Sequence, residues 1–127
     1  MQIGDFIKSE IRRPYQDGKT DCTNTADRWI QHARGFSPLA RYGRPIRTRE
    51  DVESWLSERF GLIGGILKVM RQSGFARTEK PKPGDVGLIE IPGFLCVGIF
   101  TGQHWFSRNV NGIIFARRDS FLRAWAV

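Results

Sequence analysis

Hydrophobic side chains recur every three or four positions in the first half of the chain, which is typical of helices that bury one face. This pattern predicts helices over residues 2–12, over about 22–34, from Thr48 onwards and around residues 63–70. The second apolar stripe consists of Cys22, Ala26, Trp29, Ile30 and Ala33. Residues 35–47 are rich in glycine, proline and arginine, so we expect a loop there.

Local polar residues predict where two of these helices begin and end. The Thr20-Asp21 pair precedes the second stripe and predicts an N-cap at Asp21. Asp27, in the middle of the same segment, is expected on an exposed helical face. Thr48, followed by Asp51, forms a variant of the capping box; its helix would run through Trp55, Leu56 and Phe60 and end at Gly61.

The pattern changes to that of β-strands after a turn-forming cluster at residues 80–85. Strands are predicted at 86–91, 95–101, 104–108 and 112–116, and their short connections indicate an antiparallel meander. Apolar residues after Asp119 predict a short helix over 119–125. The fold class is therefore α+β, in one domain over 1–127 that is helical in 1–75 and β-rich in 84–117.

Composition limits the class of protein. A chain of 127 residues with 40% hydrophobic residues fits one domain with a single core. No segment approaches the 18 or so apolar residues of a membrane span, and residues 1–5 lack the layout of a signal peptide. Two cysteines are too few for a disulfide scaffold, so we expect folding in a reducing cytoplasm.

The chain is strongly basic, with 20 Lys and Arg against 13 Asp and Glu and a net charge of +7. Such a surface attracts polyanions, so a basic adaptor that contacts nucleic acid is one hypothesis. No recognised nucleic-acid motif accompanies the charge, which makes this hypothesis the weaker one. Its candidate contacts are Arg41, Arg44, Arg47, Arg49, Arg117 and Arg118.

Cys22 is the strongest candidate for chemistry, because it falls in the first turn of the second predicted helix. Free N–H groups and the helix dipole at that position favour a thiolate, which is the nucleophilic form. The alternative is that Cys22 packs in the core as a small hydrophobic residue. The pattern alone leaves both interpretations open.

Several short motifs occur in a recognisable order: Tyr15, Asp21-Cys22, Gly84-Asp85 and Cys96-Val97-Gly98-Ile99. In this order they resemble the NlpC-type peptidoglycan peptidases, which are papain-like cysteine peptidases. The resemblance implies a helical first half, a β-sheet second half and Cys22 as the nucleophile.

The chain also resembles a small branch of that superfamily encoded by tailed phages and prophages. The resemblance rests on the Asp-Cys helix and on the final Ala124-Trp125-Ala126-Val127. It implies a role at the tail tip or baseplate, with other tail proteins as partners and peptidoglycan as a possible substrate. The expected location is the virion tail, or the host cytoplasm during assembly.

One residue departs from the family pattern. Cys96 stands where the active family has its general-base histidine, and a thiol with an ordinary pKa near 8.5 cannot replace imidazole as a base. His32 lies about 15 Å along the helix from Cys22, which leaves His104 as the candidate base. If the fold is right, Cys22 and Cys96 face each other as a reduced pair, as a disulfide or, with His104, as metal ligands. The reduced pair is favoured, so neither a cofactor nor a metal is predicted.

Two functional hypotheses follow from the resemblance. The first is a tail-associated protein in which the former active site is degenerate or structural. The second is a working cysteine peptidase or amidase with Cys22 as nucleophile, His104 as base and the Tyr15 hydroxyl stabilising the oxyanion. The substitution at Cys96 favours the first.

Overall fold

The structure is a computed structural model that describes residues 2–43, 46–57 and 61–127. The helices are α1 Ile3–Ile11, α2 Cys22–Arg34, α3 Pro38–Tyr42, α4 Arg49–Leu56 and α5 Gly61–Gln72. The strands are β1 Val86–Ile91, β2 Phe94–Phe100, β3 His104–Asn109, β4 Gly112–Arg117 and β5 Phe121–Trp125. Helices followed by an antiparallel sheet confirm the α+β prediction.

Two predicted helix starts are confirmed. Helix α2 begins at Cys22, because the Asp21 carboxylate accepts a hydrogen bond from the Asn24 N–H at 3.0 Å. Helix α4 begins with the predicted capping box, in which Thr48 and Asp51 satisfy each other's backbone N–H groups. Its predicted end is wrong, since α4 stops at Leu56 and Gly61 starts α5; Phe60 lies outside the described residues.

The arginine-rich segment predicted as a loop contains a short helix, α3. The Ser37 side chain caps this helix through the Ala40 N–H at 3.1 Å. Asp27 accepts hydrogen bonds from the Ser37 hydroxyl at 2.6 Å and from the Leu39 N–H at 2.9 Å. The prediction that Asp27 occupies an exposed face is therefore wrong, because its carboxylate anchors α3 to α2.

The sheet has five antiparallel strands in the order β4-β3-β2-β1-β5. Four strands lie where the sequence predicted them, but residues 119–125 do not form the predicted helix. They contribute β5, in which Trp125 pairs with Val86 and Ala124 with Gly87. The spacing of Phe121, Leu122 and Trp125 fits either a helix or a strand. These residues form a strand because they pair with the edge of β1 that β2 does not occupy.

The central strands of the sheet, β1 to β3, carry buried residues on both faces. One face packs under the helices, through Val97 and Ile99 on β2 and Phe106 on β3. The other face includes Ile89 and Trp105, which are fully buried. Glycines make room there, since a Cβ on Gly98 would lie 3.1 Å from the Ile89 side chain and one on Gly87 would lie 2.8 Å from the Trp105 ring. The Val-Gly-Ile motif thus serves packing around β2.

None of the helices in the described ranges is long and apolar enough to cross a lipid bilayer.

Candidate functional site

The loop before α2 is fixed by hydrogen bonds from its own polar side chains. Besides capping α2, Asp21 accepts from the Gly18 N–H at 2.7 Å. The Thr20 hydroxyl donates to the Pro14 carbonyl at 3.0 Å and accepts from the Gln16 N–H at 2.7 Å. These bonds fix the first turn of α2, and with it Cys22, against the sheet.

Cys22 lies where α2 packs across β2. Its sulfur lies 3.8 Å from the Thr23 hydroxyl, and the Val97 N–H is near enough to lower the pKa of the Cys22 thiol. It contacts both apolar clusters of the protein, including the one that contains Cys96. Both cysteines are free, and they are close enough for Cys22 to contribute to the raised pKa of Cys96. The structure therefore brings Cys22 and Cys96 together as a reduced pair.

Burial keeps both thiols protonated at neutral pH. It raises the pKa of Cys22, and the hydrogen bonds from Val97 and Thr23 offset this only in part. Burial also raises the pKa of Cys96 to about 11, with a smaller opposing effect from the Ser107 hydroxyl. The helix N-terminus that favours a thiolate at Cys22 is thus outweighed by desolvation.

Tyr15 lies near Cys22, but its hydroxyl is engaged elsewhere. It donates to the Asp17 carboxylate at 2.7 Å. Burial and then this hydrogen bond raise the pKa of Tyr15, with further contributions from nearby acidic groups that include Cys22. A hydroxyl committed to Asp17 has to break that bond before it can donate to an oxyanion.

His104 lies at the far end of the sheet from the cysteine pair. It begins β3, its N–H donates to the Thr101 hydroxyl at 3.0 Å, and its ring packs edge-on against Phe115. Its carbonyl accepts from the Thr101 N–H, and Thr101 is five residues beyond Cys96, which is about 17 Å of strand. The structure does not bring His104 to Cys22.

Ser107 is a polar residue near the cysteine pair that was not predicted from the sequence. It is buried on β3, its hydroxyl donates to the Val97 carbonyl at 2.7 Å, and it acts to lower the pKa of the Cys96 thiol. The position of Ser107 directly after the apolar pair Trp105-Phe106 was the available signal. Ser107 thus adds a hydroxyl beside Cys96.

The next residue, Arg108, holds the helical layer onto the sheet. Its buried guanidinium donates to the carbonyls of Glu10 at 2.8 Å and Arg13 at 2.9 Å, at the C-terminal end of α1. It also lies 6.0 Å from the centre of the Tyr15 ring. A cation is favourable at a helix C-terminus, so we assign Arg108 a structural role.

The Gly84-Asp85 motif is a structural turn. The Gly84 carbonyl accepts from the Trp29 indole N–H at 2.7 Å. The buried Asp85 carboxylate accepts from the N–H groups of Lys82 at 2.8 Å and Val127 at 3.0 Å. The motif therefore joins α2, the start of β1 and the last residue of the chain.

The arginines proposed for nucleic-acid binding do not form one surface. Arg47 lines a depression of about 400 Å³, whereas Arg117 and Arg118 line another of about 570 Å³. Arg117 also pairs with Asp119 at 3.4 Å. Arg44 lies outside the described residues.

Within residues 2–43, 46–57 and 61–127, no group of three or more His, Cys, Asp and Glu side chains is arranged to hold a metal ion.

The family model described as a domain of unknown function, DUF6950, matches residues 1–127. The chain belongs to the DUF6950 family. A comparison with curated proteins gave no match. The chemistry of this DUF6950 protein is therefore argued from its own residues.

Proposed function

We propose that this DUF6950 protein is a phage or prophage tail-tip or baseplate protein with an NlpC-like, papain-type fold whose cysteine cleft is degenerate. Three features support the fold: helices precede an antiparallel sheet, Cys22 starts α2, and that helix packs across the strand that carries Cys96-Val97-Gly98-Ile99. The tail assignment rests on the resemblance of the Asp-Cys helix and the Ala-Trp-Ala-Val ending to phage-encoded members of that superfamily.

The observation that carries the degenerate interpretation is the residue opposite Cys22. Acyl transfer to a cysteine requires a group that removes the thiol proton, with a pKa near the working pH. The described polar groups near the Cys22 sulfur are the Cys96 thiol, the hydroxyls of Thr23 and Tyr15, the Val97 N–H and the Asp21 carboxylate. The Asp21 carboxylate is engaged by the N–H groups of Asn24 and Gly18, and none of the other groups is such a base. Cys22 therefore stays a neutral thiol, and the cleft serves packing or docking.

A working peptidase is the second candidate. Cys22 at a helix N-terminus with Tyr15 beside it favours this alternative. It requires a base other than His104 in the present arrangement, since that side chain lies at the opposite end of β2.

Digestion of purified peptidoglycan separates the two candidates. Cell-wall sacculi are incubated with the protein or with Cys22→Ala, and the released fragments are identified by mass spectrometry. We expect the same fragments from both samples. New cleaved stem peptides that vanish with Cys22→Ala would favour the peptidase and contradict the degenerate cleft.

The tail assignment has its own test. Tail particles are purified by density from the phage or lysogen that encodes the chain, together with assembly intermediates, and their proteins are quantified by mass spectrometry. We expect the chain at a fixed ratio to other tail proteins in one of these fractions. Its absence from both particles and intermediates would contradict a role in the tail.

A further inference from the structure

A groove of about 700 Å³ lies between α5 and β5, on a different part of the molecule from the cysteine pair. Helix α5 contributes one wall, and β5 with the segment that bridges to it contributes the other. Four cations line this α5–β5 groove: Lys68, Arg71, Arg77 and Arg123. None of these four residues figures in the arginine set predicted from the sequence.

The four cations form two short rows. Lys68 and Arg71 are three residues apart on α5, which places their Cβ atoms about 5–6 Å apart. Arg77 pairs with Trp125, and Arg123 precedes Trp125 by two residues on β5. Such diagonal neighbours lie about 7–8 Å apart, so positive charges are spaced along both walls of the groove.

None of the described residues that line the groove is acidic. All four cations are exposed, and within the described part of the chain none of them makes an ion pair. The two depressions described above differ, because Asp17 lines one of them and Glu79 and Asp119 line the other. The α5–β5 groove is thus a concave, uncompensated positive surface, which concentrates anions.

The two aromatic side chains that line the groove are buried. Trp125 is 3% exposed and Phe75 is 7% exposed. The Phe75 ring also stacks on Phe36 at 5.9 Å. An amphipathic acidic peptide needs open pockets for its apolar side chains, and these rings are already covered. A ligand recognised through a row of regularly spaced charges fits better.

We propose that the α5–β5 groove binds the phosphate backbone of a nucleic acid without reading its sequence. Arginine forks and a lysine ammonium bind phosphate oxygens through charge-assisted hydrogen bonds, and a basic groove follows the backbone of a single strand. The covered rings of Phe75 and Trp125 leave no face for base stacking, so the contacts are electrostatic. This inference does not depend on the proposed tail function or on the cysteine pair.

The test measures binding of a fluorescein-labelled poly-dT strand by anisotropy, at salt concentrations from about 50 to 300 mM. Four phosphate contacts on a single strand predict a slope of about −2.8 when log K is plotted against log salt. The variant Arg71→Gln/Arg123→Gln removes two contacts and should reduce the slope to about −1.4. We expect its affinity at the lowest salt to fall about tenfold or more.

A matched control removes the same net charge elsewhere. Lys8→Gln/Arg12→Gln changes two exposed residues of α1 and its C-cap, and it should leave the slope unchanged. Circular dichroism verifies that both variants stay folded. An equal loss in both variants would show that only net charge matters and would overturn the proposal. A lack of measurable binding to poly-dT would also overturn it. The same holds if labelled poly-glutamate binds as tightly as poly-dT and Arg71→Gln/Arg123→Gln abolishes that binding.

Discussion

Helix α2 contributes to two sites in the interior, one of which contains an ion pair and the other two neutral thiols. Six residues beyond Cys22, Arg28 pairs with the Glu10 carboxylate through bonds of 2.7 and 2.9 Å, although Glu10 is only 1% exposed. At the first turn, Cys22 lies near a second thiol, Cys96, and no described cation contributes to its ionisation. The buried Glu10 carboxylate can therefore stay charged, because Arg28 of α2 faces it. The Cys22 thiol has no such described partner and stays neutral.

The physical reason is the cost of burying a charge. An ion that leaves water needs a partner of opposite sign, or it takes up or loses a proton and becomes neutral. The Glu10 carboxylate has that partner in Arg28. A thiolate at Cys22 would need one, and in the proposed NlpC-like fold that partner would be an imidazolium at position 96. The proposal therefore makes the identity of residue 96 the difference between a structural cleft and a reactive one.

The largest expected effect comes from breaking the charged site. Glu10→Ala leaves Arg28 without its carboxylate and removes a buried side chain, so we expect a loss of about 3 kcal/mol in the free energy of unfolding. The value is at the low end for buried pairs because the Arg28 side chain is still 24% exposed. Urea denaturation measures it.

The matched control for that substitution is Glu53→Ala, which removes the acidic partner of an exposed pair with Arg49. We expect its loss to stay below about 0.5 kcal/mol. Equal losses in the two variants would mean that burial does not distinguish these pairs.

A smaller effect is expected at the start of α2. Asp21→Ala removes the N-cap and the hydrogen bond to Gly18, at a cost of about 1 kcal/mol. Because the first turn should then fray, alkylation of Cys22 should also accelerate. Urea denaturation and alkylation kinetics measure the two effects, and a faster alkylation without loss of stability would argue against this link.

Turn chemistry and strand composition were enough to predict much of the fold. Asp21 at the head of α2, the capping box of α4 and the four strands of the meander are all encoded in neighbouring residues. The fifth strand was missed because β5 pairs with β1, a partner more than thirty residues earlier in the chain. Such long-range pairing overrides a short pattern that fits either a helix or a strand.

The candidate site was less accessible from the sequence. The proximity of Cys96 to Cys22 was expected only through the family resemblance. The positions of His104, Ser107 and Arg108 depend on the register between β2 and β3, which a single sequence does not specify. That register places Ser107 beside the thiols and His104 at the far hairpin.

The smallest effect concerns the pH dependence of stability. Both cysteines have a raised pKa in the folded protein, so their contribution to stability is complete below the ordinary thiol pKa of about 9. Above that value the unfolded chain loses these protons first. Stability should therefore fall as the pH rises from about 9 towards about 11.

Urea denaturation across that pH range checks the prediction. The control is Cys22→Ala/Cys96→Ala, which removes both thiols and should show a shallower fall than the natural chain. Identical slopes would mean that the thiols ionise alike in the folded and unfolded states.

The most direct test of the central claim measures how fast iodoacetamide alkylates Cys22, followed by mass spectrometry, in the natural chain and in Cys96→His. We expect slow alkylation at pH 6 in the natural chain, with a rate that still rises through pH 9. Alkylation of Cys96→His at pH 6 should be at least tenfold faster, because an imidazolium stabilises the thiolate, and the similarly sized Cys96→Asn should show no such gain. Rapid alkylation of the natural chain at pH 6, or equal rates in the two folded variants, would contradict the central claim.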